Sequence, residues 1–461
     1  MIRLFKHYIP HAVILLGLID FALLIFAGDF AWRLRLAQIG SLPGSTLDRI
    51  GQLAGYAAII LTAMIAVGVY GSDALRSMRF ATARLLVAVS LGIIGLSFVD
   101  FVIGGQNFWR STLAYAMIAS VVLLVLNRLI VGGVLGASAF RRRVLVLGAG
   151  LRADRLRKLS ERPESGFVIV GYIAMTESVP VVEEAINRAA IHNLTRYVEN
   201  LGVSEVVLAL EERRNALPLP DLLRIKTTGV HVNDFSSFIE RETGRVDLDT
   251  VNPSWLIFSD GFSSGRAISS VAKRLFDIFA SALLLSIAAP VILLFALLIK
   301  LESKGPAFYR QVRVGLYNQP FDVIKLRSMR QDAEAAGAQW AQKDDPRVTR
   351  LGKFIRKVRI DELPQCWSVL KGEMSFVGPR PERPEFVADL EQKLPYYAER
   401  HMVKPGITGW AQINYPYGAS IEDSRHKLEY DLYYAKNYTP FLDLLILLQT
   451  LRVVLWHEGA R

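Results

Sequence analysis

The chain has 461 residues, of which 52% are hydrophobic, and its formal net charge is +11 at pH 7. The mean hydropathy of +0.29 is high for a soluble protein and low for a pure transporter, so we expect membrane segments together with sizeable soluble parts. A basic chain with many apolar runs favours lipid and phosphate-bearing partners over nucleic acid. The single cysteine, Cys366, excludes an intrachain disulfide.

Four apolar runs occupy the first part of the chain, at residues 11–28, 51–70, 83–104 and 112–134. Each is close to the ~20 residues that a helix needs to cross a bilayer. Only short polar connections separate them, so a four-helix transmembrane domain over residues 1–140 is favoured over buried helices of a soluble core.

Two acidic residues, Asp20 and Asp100, lie inside or near the end of two of these runs. Acids within a membrane often have a function. An interfacial position or an interhelical hydrogen bond is the simpler interpretation, and we favour it.

The basic residues near the runs predict the orientation of the helices, because flanking Lys and Arg stay in the cytoplasm. Those on the inferred cytoplasmic side are Arg3, Lys6, Arg76, Arg79, Arg141, Arg142 and Arg143. Arg33, Arg35 and Arg49 in the first outer loop run against the pattern. On balance, everything after Arg143 is predicted to lie in the cytosol.

An α/β pattern follows the fourth run. Val144-Leu145-Val146-Leu147 has the continuous hydrophobicity of a buried strand. Further strands are predicted at residues 167–173, 205–210 and 229–233, with helical stretches between them. This order predicts a Rossmann-like parallel domain over residues 141–265, which ends in a linker at residues 252–265.

The first of these strands leads into Gly148-Ala149-Gly150. A phosphate can bind where such a loop opens a helix. However, Ala153 takes the third glycine position, so the glycine fingerprint is incomplete. A structural or assembly role is therefore favoured over cofactor binding.

A fifth apolar run at residues 278–299 is also long enough to span a bilayer, but Pro290 lies in its middle. Proline removes a helical hydrogen bond and clashes with the preceding turn, so we expect a kink there. Basic residues flank both ends, among them Lys273 and Lys304. Composition alone leaves open a spanning helix and a helix that enters the bilayer and turns back.

The densest chemistry surrounds the acidic pair Asp361-Glu362. Basic residues precede this pair at every third position: Arg347, Arg350, Lys353, Arg356 and Arg359. On a helix this spacing forms a slowly winding basic stripe, which would also suit anionic lipid headgroups. Pro364 is tolerated only in the first turn of a helix, so a new helix is predicted to begin near Asp361, with the pair at the positive end of its dipole.

Rigid loops and further basic residues precede and follow this pair along the chain. Gly378-Pro379-Arg380-Pro381 is a stiff turn that fixes one arginine, whose planar fork suits bidentate contact with phosphate. Upstream lies Lys325-Leu326-Arg327-Ser328-Met329, and downstream lies a glycine-punctuated loop at residues 404–414. Together these features suit an acidic, phosphorylated substrate.

Over residues 273–454 the chain resembles the monotopic phosphoglycosyl transferases, or bacterial sugar transferases. The motifs that carry the resemblance are Lys325-Leu326-Arg327-Ser328-Met329, Arg359-Ile360-Asp361-Glu362-Leu363-Pro364-Gln365, residues 374–381, residues 404–414 and Glu429-Tyr430-Asp431-Leu432-Tyr433-Tyr434. Four spans and a Rossmann-like domain ahead of them resemble the large form of this family. The resemblance implies a mostly helical catalytic domain over residues 266–461, with a reentrant membrane helix broken at Pro290.

The resemblance also implies a ping-pong reaction between a UDP-sugar and polyprenyl (undecaprenyl) phosphate, which initiates exopolysaccharide, O-antigen or capsule synthesis. Asp361 would attack the β-phosphate, release UMP and carry the sugar phosphate until the lipid accepts it. Asp361 would also contact a Mg²⁺ cofactor, and Glu362 would assist catalysis or proton transfer. The residues predicted to contact substrate are Lys325, Arg356, Arg380, Gln412 and Asn414.

The same resemblance places the protein in the bacterial inner membrane, with the catalytic domain on the cytoplasmic face, and implies a homodimer. One position departs from the family pattern: a serine often precedes the reentrant proline, but this chain has Ala289. The last apolar run, at residues 441–456, is predicted to be an interfacial amphipathic helix rather than a sixth span. The sugar, the polymer and the polyprenyl length stay open.

Two other classes of function were weighed. A nucleotide-sugar dehydratase or epimerase would use a full glycine fingerprint and usually a Tyr-x-x-x-Lys pair, yet no tyrosine in the chain has lysine four residues later. A non-enzymatic scaffold that binds phosphorylated lipid would not need both the acidic pair and the ordered arginine motifs. The sequence therefore favours a transferase.

Overall fold

The structure is a computed structural model that describes residues 2–4, 7–9, 11–41, 44–70, 78–103, 110–135, 141–162, 165–175, 180–211, 217–251, 267–333, 345–416, 418 and 420–456. The chain divides into two compact units, Met1–Thr243 and Gly244–Arg461. The described residues include five helical segments that are long and apolar enough to cross a membrane: Val13–Gln38, Leu47–Val67, Ala81–Val99, Ser111–Val131 and Ser270–Glu302.

The first unit begins with a small hairpin and four long helices. Its first elements are β1 (Ile2–Leu4), β2 (His7–Ile9), α1 (His11–Gln38), α2 (Ile50–Val67), α3 (Met78–Ile103) and α4 (Arg110–Leu135). The four helices contribute to one apolar core, which includes Leu24, Tyr56, Leu85 and Leu124. α2 and α3 approach closely at Gly92, where a Cβ would lie 2.7 Å from Cγ1 of Ile60. Larger side chains on one helix therefore fit against small ones on the next, as in membrane helix pairs.

Asp20 is fully buried at the centre of a polar cluster between α1 and α4. Arg128 donates to both carboxylate oxygens, at 2.7 and 3.2 Å, and Asn127 donates to Oδ1 at 2.8 Å. The hydroxyl of Tyr70 donates to Oδ2 at 2.7 Å. Asp20 therefore makes interhelical hydrogen bonds, as the simpler interpretation proposed, whereas the side chain of Asp100 lies outside the described residues.

Replacing Asp20 with Asn is expected to destabilise the helical part by about 1–2 kcal/mol, because Arg128 would lose its ionised partner in a water-poor site. Unfolding in mixed micelles of increasing SDS content measures the loss. Asp48→Asn is the control in the same helical part, since Asp48 is exposed and exposed charges contribute little. Equal losses in the two variants would contradict the expectation.

A five-stranded parallel sheet follows within the first unit. Its strands are β3 (Arg142–Leu147), β4 (Phe167–Ala174), β5 (Ile186–Asn187), β6 (Glu205–Leu208) and β7 (His231–Asp234), and its helices are α5 (Leu151–Ser160), α6 (Leu194–Asn200), α7 (Leu219–Thr227) and α8 (Phe235–Thr243). The strand order is β5-β4-β3-β6-β7, with every pairing parallel. Val144 and Val146 face one apolar core, and Leu145 and Leu147 face the other. This two-sided burial explains the continuous hydrophobicity of the strand and confirms the predicted parallel sheet.

The side chain of Glu211 lies against the glycine loop between β3 and α5. The backbone N–H of Leu151, at the start of α5, donates to Glu211 Oε1 at 2.8 Å. A Cβ at Gly150 would lie 2.5 Å from the same oxygen. A carboxylate therefore fills the place where a phosphate would bind at the helix N-terminus, which favours the structural role over cofactor binding.

The second unit is mostly helical. Its elements are α9 (Ala267–Glu302), β8 (Phe308–Val314), β9 (Pro320–Leu326), α10 (Arg350–Lys357), a 3-10 helix (Ile360–Gln365), α11 (Cys366–Lys371), β10 (Ser375–Val377), α12 (Pro384–Lys393), a 3-10 helix (Ala398–Met402), β11 (Gly406–Thr408), α13 (Trp410–Asn414), α14 (Ile421–Asn437) and α15 (Pro440–Trp456). β8 and β9 form an antiparallel pair, and β10 and β11 form a parallel pair.

The second unit begins before the predicted domain boundary at residue 265. Val246 and Leu248 are buried in one core with Val387 and Leu432. Arg245 also forms an ion pair of 3.1 Å with Glu429. Residues 244–251 therefore belong to the second unit, while the predicted linker at residues 252–265 lies outside the described residues.

The membrane helix α9 continues through Pro290 as a single 36-residue helix. The helix is therefore not interrupted at Pro290, although proline removes one backbone hydrogen bond there. The kink expected at this residue stays a prediction. One face of the helix, including Leu285, Ala288, Ile292 and Ile299, packs against the rest of the unit. Packing along this whole face supports the helix on both sides of the proline, and a reentrant path stays a prediction.

Candidate active site

The acidic pair lies where two short helices meet. α10 ends at Lys357, and Arg359 adopts a left-handed conformation with φ 62° before the 3-10 helix begins at Ile360. Asp361 and Glu362 occupy the first turn of that helix, and Pro364 follows inside it. The helix start predicted near Asp361 is thus present, in 3-10 form.

The predicted helical basic stripe is wrong at both of its ends. Arg347 precedes α10 and forms an ion pair of 2.6 Å with Asp345. Arg359 follows α10, and its left-handed backbone ends the helical spacing. Only the central part, from Arg350 to Arg356, keeps helical geometry. Thr349 sets the start of α10, because its side chain accepts a hydrogen bond from the N–H of Gly352 and so caps the helix.

Glu362 is a mostly buried carboxylate, with 13% of its side chain exposed, and three cations surround it. Lys325 Nζ donates to Glu362 Oε1 at 3.2 Å, and guanidinium nitrogens of Arg380 and Arg359 lie 3.6 and 3.8 Å from its oxygens. Burial opposes its ionisation, but Lys325, Arg380 and Arg359 outweigh burial and lower the pKa of Glu362 to about 2. Glu362 is therefore ionised at neutral pH and holds three cations together.

Asp361 has the opposite environment, although it is the adjacent residue. It is 8% exposed, and its buried Oδ1 accepts no hydrogen bond from the described residues. Burial, and then repulsion by Glu362, raise its pKa to about 6 against the attraction of Lys325, Arg356 and Arg359. A desolvated carboxylate with an open oxygen is suited to attack a phosphorus atom.

The turn that carries Arg380 is held by close backbone packing. β10 pairs with β11 through Ser375 opposite Gly406, and the N–H of Gly378 donates to the carbonyl of Thr408 at 2.9 Å. A Cβ at Gly378 would lie 2.2 Å from the carbonyl oxygen of Lys404. Glycine is therefore needed at this crossing of two backbones, and the two loop motifs of the sequence form one rigid structure.

A buried ion pair supports the same turn from beneath. Arg400 donates to Asp431 Oδ2 from two nitrogens, at 2.7 and 3.1 Å, and both residues are under 5% exposed. The guanidinium of Arg400 also donates to the backbone carbonyl of Arg380 at 3.0 Å. α14, which carries Asp431, thus fixes the backbone from which Arg380 reaches Glu362.

The structure brings together some of the predicted substrate residues and separates others. Lys325 and Arg380 contact Glu362, and the charge of Arg356 acts on Asp361. Gln412 and Asn414 lie on α13, where their amides donate to the carbonyls of Ile407 and Trp410 at 3.2 and 2.9 Å. Neither amide bonds to the acidic pair within the described residues. The buried Oε1 of Gln412 keeps an open acceptor, so its predicted role in binding the nucleotide stays a prediction.

The residues around the acidic pair fit a Mg²⁺ ion that is held mainly by its substrate. Among the described residues, no three His, Cys, Asp or Glu side chains are grouped for a metal ion. Mg²⁺ usually keeps several waters and binds one or two carboxylates together with substrate phosphates. The open Oδ1 of Asp361 would suit this role, whereas the oxygens of Glu362 face cations.

Sequence reasoning missed the partners that build the site. It placed Arg359 in a helical stripe, but the residue pairs with Glu362. Asp431 and Arg327 were recognised only as parts of motifs. In the structure, Asp431 pairs with Arg400, and Arg327 caps the end of α9. Their burial is the missing signal, because a charge deep in a unit needs a partner that spacing along the chain does not reveal.

Comparison with known families agrees with this geometry. Residues 268–457 match the family model described as bacterial sugar transferase. Residues 65–219 match a model described as a CoA-binding domain. The first match covers α9 and every element of the acidic site, and the second covers most of the parallel sheet.

Three relatives show how far the similarity extends. A UDP-N-acetylgalactosamine-undecaprenyl-phosphate N-acetylgalactosaminephosphotransferase of Aeromonas hydrophila is 45% identical over 52% of this chain and 56% of its own length. The match thus spans little more than half of that relative. A UDP-glucose:undecaprenyl-phosphate glucose-1-phosphate transferase of Caulobacter vibrioides is 41% identical over 42% of this chain and 74% of its own length. A transferase of the same name from Xanthomonas campestris is 28% identical over 99% of this chain and 96% of its own length. The protein belongs to the bacterial sugar transferase family.

Proposed function

We propose that this protein transfers a sugar-1-phosphate from a UDP-sugar to polyprenyl phosphate and releases UMP. The observation that carries the proposal is the contrast between adjacent carboxylates: Glu362 is paired with three cations, whereas Asp361 keeps a buried, open oxygen. The relatives whose names specify UDP-sugars and undecaprenyl phosphate support both substrate classes.

In the first half-reaction, an oxygen of Asp361 attacks the β-phosphorus of the UDP-sugar. A bond forms between this oxygen and phosphorus, and the bond from phosphorus to the bridging oxygen breaks with its electron pair leaving on UMP. Lys325 and Arg380, held by Glu362 at 3.2 and 3.6 Å, offset the negative charge of the diphosphate. Electrostatic preorganisation of this kind stabilises transferring phosphoryl groups.

In the second half-reaction, a phosphate oxygen of the lipid attacks the same phosphorus and frees the carboxylate of Asp361. The sugar phosphate thereby moves onto the lipid as a diphosphate. When bound, Mg²⁺ supplies neutralisation of the diphosphate charge that otherwise repels an anionic nucleophile. Glu362 keeps the surrounding cations in place through both steps. Because these cations lower its pKa to about 2, this supporting role is favoured over the proton transfer that the resemblance implied.

The two ends of α9 support a cytosolic site with a helix that does not cross the bilayer. Near one end, Lys273 donates to Asp443 Oδ2 and to the carbonyl of Val377. At the other end, Glu302 accepts from the N–H of Leu351. A helix that crosses the bilayer places its two ends on opposite faces of the ~30 Å hydrocarbon core, whereas both ends of α9 contact the same unit. We infer that both ends lie at the cytosolic face, with the exposed apolar face of α9 in lipid.

The test is a UMP-release assay with a panel of UDP-sugars, undecaprenyl phosphate and Mg²⁺. Glucose, galactose and their N-acetylated forms should be compared, and mass spectrometry should find a sugar-phosphate adduct on Asp361 when lipid is withheld. Release of UDP instead of UMP, or adduct formation on another residue, would contradict the proposal.

Removing Mg²⁺ with EDTA is expected to stop turnover, because the charge of the diphosphate then repels the carboxylate of Asp361. Activity should return when Mg²⁺ is added in excess. Tryptophan fluorescence should show the same fold with and without EDTA, since the described residues hold no protein-only metal cluster. Undiminished turnover in EDTA would refute the metal requirement.

A further inference from the structure

The C-terminal end of α9 meets the strand that carries Lys325 in a buried junction. The guanidinium of Arg327 donates to the carbonyls of Lys304 and Ser303 at 2.8 Å each, and to the hydroxyl of Ser303 at 2.9 Å. These groups lie just beyond Glu302, the last residue of α9. A helix end leaves carbonyls without partners, and a cation there also meets the negative end of the dipole. Arg327 is 7% exposed, so it is a buried cap.

Gly305 shows that the chain is shaped around this arginine. Its φ of +116° lies in the region that side chains other than glycine rarely adopt. A Cβ there would also lie 2.3 Å from Nη1 of Arg327. Position 305 therefore needs glycine for two reasons, and one of them is the space taken by the guanidinium.

A second hydrogen bond ties the same end of α9 to α10. The N–H of Leu351, in the first turn of α10, donates to Oε1 of Glu302 at 3.0 Å. α10 carries Arg356, whose charge acts on Asp361. The end of the membrane helix is thus bonded to two elements that supply cations to the site.

The strand β9 connects this junction to the acidic pair. Leu326 is 1% exposed and packs with Ala288, Ile292 and Ile299 of α9. Lys325 precedes it, and its Nζ donates to Glu362 at 3.2 Å. Arg327 lies two residues after Lys325, so in an extended chain both side chains leave the same face. Moving Arg327 therefore moves the backbone that aims Lys325.

We propose that Arg327 is a positioning residue that couples the seating of α9 to the placement of Lys325 against Glu362. The inference rests on the proposed transfer reaction. In this proposal α9 does not only hold the protein in the membrane. The contact between its C-terminal end and Arg327 also keeps Lys325 aligned with Glu362. The residue itself touches no reacting atom in this scheme.

The kinetic test uses the full-length protein in nanodiscs that contain undecaprenyl phosphate. Arg327→Gln is expected to lower kcat by about 10²-fold, since small misplacements of catalytic groups have effects of this size, while KM for the UDP-sugar changes far less. Arg327→Lys should recover only part of the rate, because one ammonium does not reproduce the planar fork. Gly305→Ala should resemble Arg327→Gln. Arg330→Gln, at an exposed arginine three residues on, is the matched control and should be unchanged.

A double-mutant cycle separates positioning from general stability. If Arg327 acts through Lys325, then Arg327→Gln should cause little further loss in a Lys325→Met background. Fully additive losses, or an Arg327→Gln variant that behaves like Arg330→Gln, would overturn the inference. Failure of the wild-type enzyme to release UMP from any UDP-sugar would instead count against the proposed function.

Amide hydrogen exchange tests the proposed coupling without an enzyme assay. In Arg327→Gln, faster amide exchange is expected at the end of α9, in β9 and in the 3-10 helix Ile360–Gln365. Arg330→Gln should leave all three as in the wild type. Faster exchange confined to residues 299–305 would show that the cap is local, and the proposed coupling would be wrong.

Discussion

Asp361→Asn is expected to abolish sugar-phosphate transfer, with a fall in kcat on the order of 10⁴-fold or more, because loss of a covalent nucleophile has effects of this size. Asn keeps the shape of the side chain but has no carboxylate to attack phosphorus. The covalent adduct should disappear together with UMP release. Both are measured in one reaction, by mass spectrometry of the protein and by chromatography of the nucleotide.

The control for this variant is Asp332→Asn, which removes one negative charge at an exposed position of the same unit. It should turn over at the wild-type rate. An Asp361→Asn enzyme that still forms an adduct would show that another residue is the nucleophile. Glu362 would be the first to examine, although its oxygens already face Lys325, Arg359 and Arg380.

The same variant should also be more stable than the wild type at neutral pH. Burial raises the pKa of Asp361 from 3.8 to about 6, so the folded state binds more protons than the unfolded state between these values. Stability is therefore lost as pH rises through this window, by at most about 3 kcal/mol. In EDTA, the Tm advantage of Asp361→Asn should be larger at pH 8 than at pH 5. A Tm difference between the variant and the wild type that does not change with pH would contradict the destabilising effect of the ionised, buried Asp361.

Asp431→Asn is expected to destabilise the second unit by about 3–5 kcal/mol, which is the usual effect of breaking a buried ion pair from one side. Arg400 would be left with its charge buried and without its carboxylate, since the pair is under 5% exposed. Activity should fall as well, because Arg400 also holds the backbone of Arg380. Thermal unfolding and kcat of the purified variant measure the two effects.

A surface ion pair provides the comparison for Asp431. Lys393 and Asp389 lie 2.6 Å apart on α12, with side chains 45% and 52% exposed. Asp389→Asn should change stability by about 0.5 kcal/mol or less, because exposed pairs are weakened by solvent. If Asp431→Asn changed stability no more than Asp389→Asn, the Arg400–Asp431 pair would not be the support that its burial indicates.

Features that depend on neighbours along the chain could be predicted from the sequence. The long apolar helices follow from run length, and the parallel sheet follows from four short hydrophobic strands separated by helices. A helix start near Asp361 was expected from Pro364, whose missing N–H favours a first turn, although the proline lies just after the first turn of the 3-10 helix. Each of these depends on local chemistry that any fold of this chain must respect.

Features that depend on long-range partners could not be predicted. Adjacent carboxylates look equivalent in the sequence, yet Glu362 gains three cations and Asp361 keeps an open oxygen. The helix α9 continues through Pro290, and the packing of one of its faces, which supports it on both sides of the proline, is not visible in the sequence. Residues 244–251 looked like part of the preceding domain, but buried apolar side chains place them in the second unit.

The sequence by itself determined that this protein has membrane helices, a parallel α/β sheet and an acidic pair among ordered basic motifs. Only the tertiary structure decided which carboxylate is neutralised, which arginines build the site and which one caps the membrane helix. The physical reason is that a charge is compensated by partners that are close in space, whatever their separation along the chain. Lys325 and Glu362 are 37 positions apart and Arg400 and Asp431 are 31 positions apart, so the fold must bring them together before their chemistry exists.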